Sequence, residues 1–124
     1  EAWHCSAVGK CVLAHKPQSF IEDIFRDYDF RRYTANTIAA YQDLEKELKK
    51  IKEEGYALDD EERTLGVRCI AVPIFSYGGN VNCCIGISAP KEQITEATLK
   101  RYTLCMKKYG SQISKELGYG LYRS

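Results

Sequence analysis

No apolar run in this sequence approaches the roughly 20 residues that a helix needs to cross a bilayer. The longest, Ile70 to Phe75, has six. Proline is scarce, at three residues, and the glycines follow no three-residue period, which excludes a collagen-like fibre. Charge of one sign is missing too. Eighteen basic side chains meet 17 acidic ones, for a formal net charge of +1, so the chain is no polybasic nucleic-acid arm. The opening Glu1-Ala2-Trp3-His4 has neither the basic start nor the apolar stretch of a secretory leader. Repeats and low-complexity segments are absent. What is there is a 44% hydrophobic chain of 124 residues, enough for one domain with its own core and too apolar for a disordered tail.

Six cysteines (Cys5, Cys11, Cys69, Cys83, Cys84 and Cys105) make an even count, yet each sits inside an apolar pattern. The expectation is reduced, buried thiols in a cytoplasmic protein rather than a disulfide scaffold.

Four helices are legible. Ala7, Val8, Cys11, Val12 and Ala14 recur as one helical face over Ser6 to His15, and Pro17 stops the run. Ser19 with Glu22 has the spacing of a capping box and predicts a short helix with Phe20, Ile21, Ile24 and Phe25 inward. Ile38, Tyr41, Leu44, Leu48 and Ile51 predict a helix from about Thr37 to Glu54, ended by Gly55, with its Glu/Lys face exposed. A last helix opens near Thr95, turns Tyr102, Cys105, Met106, Tyr109, Ile113 and Leu117 to one side, and closes at Gly118.

Between them the Gly78-Gly79 pair joins two β-rich runs, Leu65 to Tyr77 and Asn80 to Ser88, as a hairpin. A two-residue loop would make Pro73 and Cys84 a hydrogen-bonded pair, although proline has no amide proton. A four-residue loop, Tyr77 to Asn80, keeps the same facing and is the expectation. Ile70, Val72 and Ile74 then oppose Ile87, Ile85 and Cys83 on an apolar face. The other face pairs Cys69 with Ser88, Ala71 with Gly86 and Pro73 with Cys84. Such small groups leave room for a close-packed helix or for a ligand.

The chemistry on offer is modest. Asp59-Asp60-Glu61-Glu62 reads as a solvated run beside a turn, with one of its acids available to a pocket. His4-Cys5 with Cys69 or Cys83-Cys84 has ligand types suited to zinc. No Cys-x-x-Cys occurs, however, and neighbouring strand residues point to opposite faces, so no metal is expected. Nothing orients His4 or His15 beside a nucleophile, and no catalytic residue is assigned. Lys46, Lys49, Lys50 and Lys52 interleave with Glu45, Glu47, Glu53 and Glu54, a salt-laced face rather than a phosphate track.

The run His4-Cys5-Ser6-Ala7-Val8-Gly9-Lys10-Cys11-Val12-Leu13-Ala14 resembles the His-x-[Ser/Thr]-Ala-x-Gly-Lys-x-x-Leu-Ala motif of the IclR-type transcriptional regulators. The similarity continues through Thr34, Thr37-Ile38, Leu44, Glu47-Leu48 and Gly55-Tyr56-Ala57. It is densest over Asp59 to Glu62 and Leu65 to Phe75, and runs on through Ile85 to Pro90 and Ile113 to Gly118.

The resemblance implies an α+β fold, an antiparallel sheet packed with helices in a GAF-like effector-binding domain covering residues 1–124. It implies no enzyme and no cofactor. The match begins at the loop before His4, so the expectation is a chain without the family's winged helix-turn-helix and without the first part of the effector domain. Carried over by position, the family's pocket contacts fall on Ala7, Val8, Asp59, Val67, Cys69, Gly86 and Ser88, and Gly86 stands where the family usually has serine. The implied partners are a small organic acid, further copies of the chain in a dimer or tetramer, and DNA only through the winged helix. No membrane is implied. The alternative on the same fold is a thiol-dependent redox enzyme using the pocket cysteines.

Overall fold

Ser6 starts the first helix: its hydroxyl accepts the Gly9 amide at 2.9 Å, satisfying one of the donors that a helix start leaves open. Helix α1 follows over Ala7–Ala14. In the computed structural model, which describes residues 2–120, the chain continues as α2 (Gln18–Phe25), α3 (Tyr41–Glu54), β1 (Ala57–Asp60), β2 (Val67–Phe75), β3 (Val81–Pro90), a 3-10 turn at Lys91–Gln93, and α4 (Glu96–Glu116). The three strands form one antiparallel sheet in the order β1-β2-β3. The fold is α+β, as expected.

Helix α1 lies along β3 in the opposite sense. Val8 touches Gly86, Cys84 packs against the core cluster that holds Cys11, and Lys16 Nζ donates to Asn82 Oδ1 at 2.8 Å. Behind α1 stands α3, and Leu13, Leu44, Leu48, Ile51, Ala57 and Ala71 close the core on this side. On the other face Ile70, Val72, Ile85 and Ile87 pack against Ile94, Leu99 and Met106 at and within α4. The sheet is thus filled on both faces.

Several expectations need correction. Helix α3 starts at Tyr41, not Thr37. The Thr37 hydroxyl accepts the amides of Tyr33 and Thr34 and donates to the Glu62 carbonyl at 2.6 Å, which holds this stretch as a turn. Pro17, not Ser19, caps α2, and no side chain completes a box there; Phe20 is exposed. Helix α4 buries Thr103, Met106, Gly110 and Ser114, while Cys105, Tyr109 and Leu117 face outward. Close approach is the reason. A Cβ on Gly110 would sit 3.3 Å from the Pro73 carbonyl oxygen and from Val72, so the small residues of α4 turn toward the sheet. Cys83 and Cys105 are exposed, against the expectation that every thiol is buried.

The hairpin keeps the expected pairing from Cys69–Ser88 to Ile74–Cys83. Its loop is three residues rather than four. The Ser76 amide donates to Asn80 O, and the Gly79 amide to Ser76 O, each at 2.9 Å, with Gly79 at φ +83° in the left-handed region. Phe75 then pairs with Val81, and Asn82 is the additional residue of a bulge. The acidic run is not solvated throughout: Asp59 and Glu62 are buried, and β1 makes it part of a third strand.

Candidate functional site

The pairing of three strands sets out the site. Asp59 pairs with Cys69, and Cys69 with Ser88, so one row crosses β1, β2 and β3. Side chains two apart share a strand face. Val67, Cys69 and Ala71 therefore lie with Gly86 and Ser88, and with Ala57 and Asp59, on the face that carries α1. The amino-terminal half of α1 reaches only part of this face. It covers Ala71, which is fully buried, while Gly86 and Ser88 stay exposed and Cys69 half-buried. The small-residue face therefore does both things that its composition allowed. A helix packs on one half, and the other half stays open beside the helix start.

Of the seven predicted contacts, six gather on this face at the start of α1: Val8, Val67, Cys69, Gly86 and Ser88, with Asp59 buried at the edge of the group. Val8 is 47% exposed and stands over Gly86, where an added Cβ would meet its Cγ2 at 3.3 Å. A serine at position 86 would crowd Val8, whose exposed side chain would have to give by a few tenths of an ångström. Ala7, by contrast, is turned into the core.

Polar groups in the row hold one another. The Cys69 thiol donates to Ser88 Oγ at 3.2 Å. Burial pushes its pKa up; the Ser88 contact pulls the other way, and the negative charge of Asp59 adds to the rise. Cys69 is therefore a protonated hydrogen-bonding group near neutrality. Asp59 Oδ1 accepts the Glu62 amide at 2.8 Å. Burial raises the carboxyl of Asp59 against that bond and against the attraction of Lys10, which favours the protonated form.

Sequence reasoning missed the ion cluster directly behind the row. Lys10 is fully buried on α1, and its ammonium donates to Glu62 Oε1 at 2.8 Å, Glu47 Oε2 at 2.8 Å and the Leu58 carbonyl at 2.7 Å. Burial disfavours the ammonium, but Glu62 and Glu47 outweigh it and hold its pKa up. Glu62 shares that lysine with Glu47 and faces Asp59. For Glu62 burial dominates, and its carboxyl is raised. The signal was available: Lys10 follows Ala7 by three and precedes Ala14 by four, on the buried stripe of α1, where a lysine needs an acid.

His4 is buried, with Nδ1 2.6 Å from the Tyr28 hydroxyl and Nε2 2.8 Å from the Arg31 carbonyl oxygen. Its Nε2–H donates to Arg31 and its Nδ1 accepts from Tyr28, so both ring nitrogens are engaged in protein contacts. Among the described residues no three His, Cys, Asp or Glu side chains gather as a metal site, and no helix is long and apolar enough to cross a membrane.

A three-stranded antiparallel sheet with α1 and α3 on one face and α4 on the other is the architecture of solved domains of transcriptional regulators. The C-terminal domain of the E. coli transcriptional regulator KdgR superposes with a TM-score of 0.88 at 32% identity, over 94% of this chain and 71% of that one. The Thermotoga maritima IclR does so at 0.89 and 33%, over 94% of this chain and 47% of that one. The chain belongs to the bacterial transcriptional regulator IclR C-terminal family, whose profile matches residues 2–115. The HTH-type transcriptional regulator KdgR of Dickeya chrysanthemi is 33% identical over 116 residues, 94% of this chain and 38% of the relative. The chain spans less than half the length of the curated relatives it matches.

Proposed function

We propose that this chain is the effector-binding part of a cytoplasmic transcriptional regulator, and that it binds a small organic acid at the open end of the α1-facing sheet. The observation that carries the reading is the row Asp59–Cys69–Ser88, in which exposed Ser88 and half-buried Cys69 stand beside Val8 and Gly86 at the amino end of α1, with buried Asp59 completing the row. Ser88 and Cys69 supply hydroxyl and thiol contacts, and Asp59 can donate once protonated. The amides of the first turn of α1 favour negative charge. Val8, Gly86 and Val67 set the apolar boundary, and Ala7 supports the helix start from behind. Ligand occupancy then biases an assembly of several copies between DNA-binding states, with DNA contacted by a winged helix-turn-helix domain and not by this domain. The role is sensing, not catalysis. Cys69 has a raised pKa, opposite to the shift that activates a nucleophilic thiol.

The test is Ser88→Leu. Ser88 is exposed, so the fold tolerates leucine there, and the branched side chain fills the open end of the row. With an acid identified by mass spectrometry of metabolites retained on the native protein, calorimetric affinity should drop at least about tenfold, equivalent to about 1.4 kcal/mol. Unchanged affinity overturns the placement of the site.

A further inference from the structure

A separate cavity of about 350 Å³ opens at the opposite end of β2, between the ends of α1 and α3 and the second half of α4. Its floor is Val72, Pro73 and Phe75, three to six strand residues beyond Cys69, or about 10–20 Å along the extended chain. That volume lies in the range of small-molecule sites, roughly 300–1,000 Å³.

The chemistry of its walls is one-sided. Lys52, Lys107 and His15 line it with the Ser111 hydroxyl, and no carboxylate does. Lys52 differs from the other lysines of α3. Lys46 has Asp43, Lys49 has Glu45, and Lys50 has Glu54 three or four residues away, whereas Lys52 has Leu48, Lys49, Gly55 and Tyr56. Among the described residues no hydrogen bond or ion pair engages its ammonium. Lys107 donates to the Glu54 carbonyl at 2.7 Å, which covers a free acceptor at the end of α3 and leaves its other protons available. His15 uses Nδ1 on the Cys11 carbonyl at 3.0 Å, and its ring meets Phe75 edge-on at 5.4 Å. Phe75 and Tyr119 stack on each other at 4.8 Å and 20°, and both rings line the cavity. A cationic rim beside an aromatic stack favours an anion that carries an aromatic ring of its own.

We propose that this cavity is a second small-molecule site and takes a planar aromatic carboxylate, the ring against Phe75 and Tyr119 and the carboxylate between Lys52 and Lys107. The proposal is independent of the effector site, shares no residue with it, and stands or falls separately.

Sodium benzoate is the probe, with cyclohexanecarboxylate (same charge, no flat ring) and inorganic phosphate as comparison arms. Binding is read on the 124-residue chain by amide chemical shifts. Benzoate should shift Phe75, Ser111 and Tyr119 saturably, with a millimolar or tighter Kd, and bind more tightly than either comparison anion. Lys52→Glu should weaken benzoate about tenfold or more, and the same charge reversal at Lys100, exposed on α4 and outside the cavity, should leave it unchanged. Lys52→Gln repeats the test with a neutral polar side chain, without adding a negative charge. The proposal is overturned by shifts confined to Val8, Cys69 and Ser88, or by no saturation at about 20 mM. It is equally overturned by phosphate or cyclohexanecarboxylate matching benzoate, or by unchanged benzoate affinity in both Lys52 variants.

Discussion

Replacing Lys10 by methionine is the sharpest test of how this fold is held. Lys10 is fully buried, and the side chains of Glu62 and Glu47 are 9% and 25% exposed. Methionine fills the stem of the lysine but leaves the Glu62 carboxylate and the Leu58 carbonyl without their donor. The Glu47 contact adds little, since exposed pairs contribute about 0–1 kcal/mol. Orphaning a buried charge costs about 3–5 kcal/mol. Domains of this kind are stable by roughly 5–15 kcal/mol, so about a fifth or more of the total is at stake. With an unfolding entropy of about 2.1 cal/mol/K per residue, a loss of about 4 kcal/mol lowers Tm by roughly 15 °C.

The pH dependence has a definite sign. Without Lys10, the already raised carboxyl of Glu62 rises further, so the folded state holds the proton more tightly than the unfolded one. Stability of the variant is then greatest at acid pH and is lost as pH rises through the ionisation of the unfolded carboxyl and on to that of the folded one. Urea unfolding at about pH 5 and about pH 8 should show the larger deficit at the higher pH, and Glu62→Gln added to Lys10→Met should cost less than the two changes summed. A loss under about 1 kcal/mol, or one that is equal at both pH values, would refute the reasoning.

Two further outcomes are expected. Gly110→Leu forces side-chain atoms against Pro73 O and Val72, where even a Cβ would approach to 3.3 Å; denaturant unfolding should show a loss of about 1–3 kcal/mol or more, and a neutral result would mean α4 is not seated on β2 as described. A coloured disulfide reagent should titrate Cys83 and Cys105 rapidly in the native chain and reach Cys5 and Cys11 only on unfolding; fast native reaction of Cys11 would contradict its burial on the inner face of α1.

The pairing of β2 with β3 was legible because a glycine pair between two strand-like runs fixes a register locally. The bulge at Asn82 was not, since it absorbs the difference between the actual loop and the expected one. Thr37 shows the same limit in a helix. Its helical pattern is sound, but its hydroxyl finds the Glu62 carbonyl 25 residues along the chain, and that bond decides where α3 begins. In α4 the expected stripe was right at Met106 and wrong at Cys105, Tyr109 and Leu117, which face outward. Helices face a sheet with their smallest residues where backbones come close, and Gly110 and Ser114 carry that contact: Ser114 Oγ accepts the Phe75 amide at 2.9 Å.

The site was half legible for a related reason. Cys69, Gly86 and Ser88 share a face by strand periodicity alone, so two strands of the row followed from the hairpin. Asp59 required β1, a four-residue strand ending in two aspartates that has no strand signature of its own. Its strand character comes from pairing with β2, and its burial comes from what stands behind it. Glu62 turns back to give its amide to Asp59 and its carboxylate to Lys10. A buried lysine on α1, an acid on α3 and the acidic turn after β1 are thus parts of one structure. That structure draws two carboxylates out of water and sets one of them at the end of the row. Net charge and charge runs, which count residues without pairing them, cannot show this. The helical stripe of α1, with one lysine among alanines and cysteines, is where the sequence discloses that an acid must come from elsewhere in the fold.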